Sequence, residues 1–169
     1  INWYEAIAYC NLLSSKEKLQ PYYNVSSSSI SIRKNANGYR LPTEVEWILA
    51  ATNGKINVNL SDKNCWYNGN SGGKSQPICK RAKNENGIYD MYGNVYEWCW
   101  NRIKSSGYDI SLEGGEDPKG LLTGFLRVIR GGDIVLNEEL CTVTNRSKRQ
   151  PTNDDILGLT GVRIVRLIK

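Results

Sequence analysis

The last forty residues of the chain alternate between apolar and polar positions at both of their ends. The first alternating run spans residues 126–130 and stops at Gly131-Gly132, and the second spans residues 161–166. A period of two with β-branched residues is typical of strands. Residues 133–160 between the runs are polar and irregular, and a loop of this length is usually either functional or disordered. The pattern therefore predicts two adjacent strands that present a functional surface.

Two helices are indicated by apolar residues at helical spacing, over residues 3–14 and 43–52. Each follows a polar N-cap with a glutamate three positions later, which is the capping-box pattern: Asn2 with Glu5, and Thr43 with Glu46. The second helix is expected to end at Asn53-Gly54, because these residues readily adopt the left-handed conformation.

Further short strands are predicted at residues 22–25 and 29–32, and a strand or a buried aromatic anchor at 65–67. Residues 95–100 also alternate. In that strand Trp98 and Trp100 share one face, which we expect to be the core face, while Glu97 and Cys99 share the other.

Composition excludes several classes of function. The chain has 169 residues, a net charge of +5, no histidine and five cysteines. No cysteines form a CxxC pair, which argues against zinc. The basic residues are scattered, which favours a solvated surface over a nucleic-acid footprint. No apolar run is long enough to span a membrane. Either one disulfide or only free buried thiols fits the cysteine spacing.

Four motifs carry a family resemblance: YRLPTEVEW at 39–47, GIYDMYGNVYEW at 87–98, RVIRGG at 127–132 and GVR at 161–163. In this order they resemble the formylglycine-generating enzyme family, also called sulfatase-modifying factor domains. The resemblance implies one α+β domain over residues 1–169, with an irregular, loop-rich C-type lectin-like fold. Two helices would lie around a small twisted antiparallel sheet. The N-terminal strand-and-hairpin part of longer members is expected to be missing.

The family's enzymes oxidise a sulfatase cysteine to formylglycine with a copper-binding cysteine pair in the motif RGGSxxCxxxxC. On this chain the first cysteine position falls on Leu136 and the second on Cys141. Cu(I) prefers soft thiolate ligands, and one thiolate does not replace two. We therefore expect no enzymatic activity and no required cofactor, with Cys141 acting as a small buried apolar residue.

The resemblance also implies a structural calcium site, because the family's GNVWEW segment supplies oxygen ligands. The matching residues here are Gly93, Asn94, Val95 and Glu97. Oxygen ligands from a turn and a carboxylate suit calcium. In the alternative reading Asn94 caps the turn and Glu97 pairs with an arginine.

A non-enzymatic branch of the family fits the C-terminal frame better. The segments RGG at 130–132, CTVTNR at 141–146 and GVRIV at 161–165 resemble the frame of diversity-generating retroelement variable proteins. This chain departs from that frame at residues 133–134 and at Val162. The likeness implies a variable ligand-binding surface at about residues 133–156, made of Asp133, Ile134, Val135, Leu136, Asn137, Glu138, Glu139, Leu140, Ser147, Lys148, Arg149, Gln150, Thr152, Asn153, Asp154 and Asp155.

Apolar residues rimmed by charge, as in residues 133–140, are typical of a recognition patch. Alternatively, residues 134–136 form a short buried strand. Three functions stay open: a ligand-binding variable protein, which we favour, a formylglycine-generating oxidase, and a catalytically dead structural homologue. For the first we expect a macromolecular ligand, a protein rather than a nucleic acid. Surface display and secretion both stay open as locations.

Overall fold

The computed structural model of the chain describes residues 1–27, 29–55, 63–104, 124–152 and 158–167. The described residues form two helices, eight short strands and one 3-10 turn. The helices are α1 (Trp3–Lys16) and α2 (Glu44–Thr52), and the 3-10 turn is Glu138–Leu140. The strands are β1 (Tyr23–Val25), β2 (Ile30–Ile32), β3 (Cys65–Trp66), β4 (Tyr92–Gly93), β5 (Tyr96–Ile103), β6 (Leu126–Arg130), β7 (Arg146–Arg149) and β8 (Thr160–Gly161).

Both helices begin at the predicted residues because their first turns are capped locally. The side chains of Asn2 and Thr43 each accept a hydrogen bond from the backbone of the glutamate three positions later, and that glutamate bonds back to the cap. A cap of this kind stabilises a helix by about 1 kcal/mol. Asn53 ends α2 in the left-handed conformation, with φ of 52°. The two helix predictions are confirmed.

The main sheet has the strand order β7-β6-β5-β8. Strand β6 is antiparallel to both β5 and β7, but β8 pairs parallel with β5, so the sheet is mixed rather than wholly antiparallel. The prediction that the two terminal runs are adjacent strands is wrong, because β5 lies between β6 and β8. Of residues 161–166, only Gly161 belongs to a strand, while Val165 forms an isolated bridge with Arg40.

The smaller pairings follow the sequence more closely. The short strands predicted at 22–25 and 29–32 are confirmed as β1 and β2, and the structure pairs them antiparallel. β3 pairs parallel with β4, which brings the Cys65-Trp66 segment against the turn that precedes β5. The strand prediction is thus confirmed, whereas the aromatic residues Trp66 and Tyr67 are only half-buried and the fully buried residue of the segment is Cys65.

Apolar clusters cover both faces of β5. Trp98 packs with α1 in one cluster, and Cys99 packs with α2 and β6 in the other. Trp100 is half-buried against the first cluster and stacks on Tyr23, with ring centroids 5.1 Å apart. The predicted core face of β5 is confirmed, but the opposite face is also core. Strand β5 therefore lies at the centre of the fold, with apolar packing on both of its faces.

Gly93 gives a direct test of how tightly β3 and β4 pack. A Cβ atom at Gly93 would lie 1.9 Å from the carbonyl oxygen of Trp66, whereas a Cβ at Gly87 would meet nothing within 4 Å. Both glycines have positive φ, 67° and 75°. We expect Gly87→Ala to cost about 1 kcal/mol through backbone strain alone. Gly93→Ala should cost about 1–3 kcal/mol more through overpacking.

Urea denaturation of the two variants and the parent measures both losses. Equal losses for the two variants would show that β3 and β4 are not packed as described.

Candidate functional site

The segment predicted to carry function starts at a turn that only glycine accommodates. Gly131 and Gly132 have φ of 99° and 78°. A Cβ at Gly132 would lie 3.0 Å from the Cα of Cys141, and the carbonyl of Gly131 accepts a hydrogen bond from Gly93 N at 2.7 Å. The turn directs the chain from the end of β6 across the face of the domain. We call residues 133–145, which run from this turn to β7, the display loop.

One buried carboxylate binds both ends of the display loop. Glu44, at the first turn of α2, is 2% exposed. Its carboxylate pairs with Arg130 at 2.6 Å and with Arg146 through two contacts of 2.7 Å. Arg130 also donates hydrogen bonds to the carbonyls of Val143 and Asn145, at 2.9 and 3.0 Å. The last residue of β6 and the first of β7 are therefore joined through α2.

The inner side of the loop is held by its own backbone. Ile134 N donates to the Asn94 carbonyl at 3.2 Å, and the Leu136 carbonyl accepts from Asn68 N at 3.0 Å. Asp133 accepts a hydrogen bond from Val135 N at 3.0 Å. These contacts anchor the loop without using the side chains that point outward.

Burial divides the predicted surface residues into two groups. Asp133 and Ile134 are 4% and 3% exposed, so the prediction that they belong to the exposed surface is wrong. The positive φ values of the two glycines turn the chain inward instead of outward, which buries the next two residues. Leu136 is half-buried and contacts both apolar clusters. Residues 134–136 do not form a strand, so the buried-strand alternative is also wrong.

The remaining members of the display loop face outward. Val135 and Leu140 are 55% and 50% exposed. Asn137 and Glu139 are also exposed, and Glu138 is half-buried beside them. We call Val135, Asn137, Glu138, Glu139 and Leu140 the display surface.

The second predicted group lies on β7 and just beyond it. Ser147, Lys148 and Arg149 are half-buried in this strand, which pairs with β6 at the edge of the sheet. Gln150 and Thr152 are exposed. The predicted contact residues Asn153, Asp154 and Asp155 lie outside the described residues. Strand β7 thus directly follows the display loop and is a half-buried edge strand of the main sheet.

The carboxylate predicted to bind calcium is fully engaged by protein groups. Glu97 is 7% exposed. It accepts hydrogen bonds from Arg163 Nε and Nη2 at 2.9 and 2.8 Å, and from Trp47 Nε1 at 2.7 Å. Because the guanidinium of Arg163 binds both carboxylate oxygens of Glu97, this carboxylate has little capacity left to bind a metal cation. The contacts favour the alternative in which Glu97 pairs with an arginine.

Asn94 is likewise used within the turn. Its side chain accepts from Gln76 N at 2.8 Å and donates to the Gln76 carbonyl at 3.1 Å. Its carbonyl accepts from the display loop. As placed, the set of Gly93, Asn94, Val95 and Glu97 does not fit a calcium ion, and calcium binding stays an untested prediction. A cavity of about 550 Å³ opens beside these residues.

The two cysteine positions of the oxidase motif have different surroundings. Leu136 occupies the first, and Cys141 at the second is fully buried. All five cysteines are free thiols, and among them only Cys79 is exposed. Cys141 lies in the same apolar cluster as Cys65 of β3, and its thiol donates to the Asp133 carbonyl at 3.6 Å. No spacing motif in the sequence links these two cysteines, and the sequence reasoning did not place them together.

The fold and these motifs define a lectin-like α+β domain of the formylglycine-generating-enzyme type. The family model of the sulfatase-modifying factor enzyme 1-like domain matches residues 1–168. The chain therefore belongs to this family, and the predicted fold class is confirmed. Among its described residues, no helix is long and apolar enough to cross a membrane.

The chain is similar to one solved structure and to two curated proteins, as follows. Treponema denticola variable protein 1 superposes with a TM-score of 0.87 at 31% identity, over 97% of this chain and 68% of that one. The formylglycine-generating enzyme of Streptomyces coelicolor is 30% identical over 85% of this chain and 51% of its own. The chaperone protein LppX of Paenibacillus barcinonensis is 36% identical over 59% of this chain and 50% of its own. The chain spans about half the length of these two curated relatives.

The Glu44 pairs allow a direct test of what holds the display loop. Glu44→Gln keeps the shape of the side chain but removes the charge that Arg130 and Arg146 share. Removing one partner of a buried ion pair typically costs about 3–5 kcal/mol. The matched control Glu139→Gln changes an exposed carboxylate and should stay within about 0.5 kcal/mol of the parent.

The free energy of unfolding in urea gives both values. If Glu44→Gln were no more harmful than Glu139→Gln, the shared carboxylate would not be the link between the loop ends.

Proposed function

We propose that this chain is a non-enzymatic binding protein that presents the display surface to a macromolecular ligand. The observation that carries the proposal is that the groups that hold the display loop in place differ from the side chains that the loop exposes. Buried groups and backbone hydrogen bonds hold the loop in place. The Asn137 side chain accepts a hydrogen bond from the exposed side chain of Asn68 at 3.1 Å. The display surface otherwise lies outside the contacts described for the loop, so its side chains are available for recognition. A rigid frame with exchangeable contacts is how antibody-like binders work.

The chemistry of the display surface suits a protein ligand. Val135 and Leu140 offer exposed apolar area, and Glu138 and Glu139 add negative charge at its rim. Apolar centres with polar rims are typical of protein interfaces. A nucleic acid would bring its phosphates against the two glutamates, which is electrostatically unfavourable. The likeness to a variable protein supports the same class of function.

Membership in a family that includes formylglycine-generating enzymes favours a second candidate, an oxidase. That function would need two thiolates at the motif positions, and Leu136 supplies none. Because Leu136 packs against both apolar clusters, it is part of the domain interior rather than of a reaction centre. We therefore rank the oxidase below the binder.

Randomising the display surface tests the binder directly. A library that varies Val135, Asn137, Glu139 and Leu140 should keep most members folded, because these side chains are exposed. The same library should yield clones that bind different immobilised proteins. A matched library at four inner positions should mostly unfold, because those residues are buried: Gly131, Gly132, Ile134 and Arg130.

Protease resistance of displayed clones measures folding, and selection on a panel of purified proteins measures binding. Loss of folding in the outer library, or folded clones that never bind, would contradict the proposal.

An oxidase assay tests the second candidate. The chain, supplied with Cu(I) and oxygen, is incubated with a peptide that contains a CxPxR sequence, and the Streptomyces coelicolor enzyme serves as the positive control. We expect no aldehyde in the peptide by hydrazide labelling and mass spectrometry, because one motif thiolate is missing. Conversion by this chain would establish the oxidase instead.

A further inference from the structure

Helix α1 has an exposed apolar face that neither the binder nor the oxidase reading uses. Its inner face packs in the first apolar cluster through residues at helical spacing, which are Trp3, Ala6, Ile7 and Cys10. On the outer face, Tyr9 and Leu12 are 48% and 69% exposed. Single exposed apolar residues are normal, but contiguous ones rimmed by polar residues mark an interaction surface. The outer face of α1 is therefore a candidate for contact with another molecule.

Four exposed residues form one stripe along this face: Glu5, Tyr9, Leu12 and Lys16. Their spacings of four, three and four residues place them one above another on the helix surface. The same alternation of three and four is the spacing along the seam between two packed helices. The two apolar residues lie in the middle, with the acidic residue in the first turn and the basic residue in the last turn of the helix. We call these four residues the α1 stripe.

A groove lies on one side of the α1 stripe, with a volume of about 490 Å³. Its lining is mostly apolar and combines the start of α1 with the segment that follows β8: Ile1, Glu5, Tyr9, Val162 and Ile164. Val162 and Ile164 are half-buried against the cluster beneath α1. The groove thus offers room for an apolar side chain of a partner beside Tyr9.

We propose that a second copy of this chain covers this face, with the two α1 helices packed antiparallel about a two-fold axis. In this arrangement Tyr9 lies beside Leu12 of the second copy. The charged residues of the stripe lie four positions outside the apolar ones. The same register therefore places Glu5 beside Lys16 of the second copy. The two-fold axis makes each of these contacts occur twice.

The charges of the stripe select the antiparallel orientation. A parallel pair would place Glu5 beside Glu5 and Lys16 beside Lys16, and like charges at such positions repel. The antiparallel pair replaces both repulsions by attractions, and it places the positive end of each helix dipole beside the negative end of the other. The Asn2 N–H donates to Glu5 Oε2 at 2.8 Å, which fixes this carboxylate at its end of the stripe. Exposed ion pairs contribute little affinity, so Tyr9 and Leu12 supply the attraction and the charges supply the orientation.

The size of the face indicates a weak dimer. With 14 residues, α1 is about 21 Å long. One helix pair of this length lies at the low end of specific interfaces, where pairs that bury less than about 1,200 Å² in total are transient. We therefore expect a dimer in equilibrium with the monomer at micromolar concentrations or higher. The α1 stripe shares no residue with the display surface, so a dimer contact and a bound ligand use different side chains.

Sedimentation equilibrium of the full chain tests the pairing. Over concentrations of about 5 to 500 µM, which span weak dissociation constants, the average mass should rise from the monomer value of 19.0 kDa towards twice that value. Leu12→Asn should weaken the association about tenfold or more, because it removes the central apolar contact from both copies. The matched control Leu49→Asn changes an exposed leucine of α2 and should leave the association unchanged. A monomer at every concentration, or equal effects of the two variants, would overturn the proposal.

Charge-exchange variants test the orientation. Lys16→Glu gives a stripe with two acidic ends and Glu5→Lys a stripe with two basic ends, so each should associate with itself several-fold more weakly than the parent. An equimolar mixture should restore dimers, because each acidic end then meets a basic one. Circular dichroism checks that both variants fold. Undiminished self-association of Lys16→Glu, or a mixture that stays monomeric, would contradict the antiparallel pair. If Glu5→Lys does not fold, because it removes half of the capping box, Lys16→Glu and Leu12→Asn decide.

Discussion

The buried carboxylate of Glu44 is the interaction on which the rest of the site depends. It sits at the start of α2 and binds one arginine from the end of β6 and another from the start of β7. Ordering a loop costs conformational entropy, and fixing its two ends at one point reduces the freedom that remains. A buried charge must be paired to be tolerated. Because Glu44 has two partners, the helix, the sheet and the display loop are bound into one unit.

The residues that hold the display loop in place differ from the residues that the loop exposes to solvent. The contacts that fix the display loop are made by Glu44 with Arg130 and Arg146, by the Asp133 carboxylate and by backbone groups. The exposed side chains at Val135 and Leu140 can change without removing any of those contacts. In the proposed function, the family scaffold presents exposed side chains for binding and carries Leu136 at the first cysteine position of the motif.

Local features of the fold could be predicted from the sequence and long-range ones could not. The helices follow from caps at Asn2 and Thr43, because capping depends on neighbours three residues away. The sheet order depends on β8 pairing parallel with β5 across a large separation, which alternation cannot reveal. Within the site, the glycine turn was correctly located, but the burial of Asp133 and Ile134 depends on φ values that the sequence does not specify. Cys65 and Cys141 likewise meet in one apolar cluster only in three dimensions.

Sequencing the gene for this chain in many sister isolates tests the central claim most directly, because it compares the frame and the surface in one measurement. The account predicts an adjacent template repeat and a reverse transcriptase gene. It also predicts substitutions concentrated in the codons of the exposed residues Val135, Asn137, Glu139 and Leu140, with the codons of Glu44, Arg130 and Arg146 unchanged. Substitutions spread evenly over buried and exposed positions, with no template repeat nearby, would contradict it.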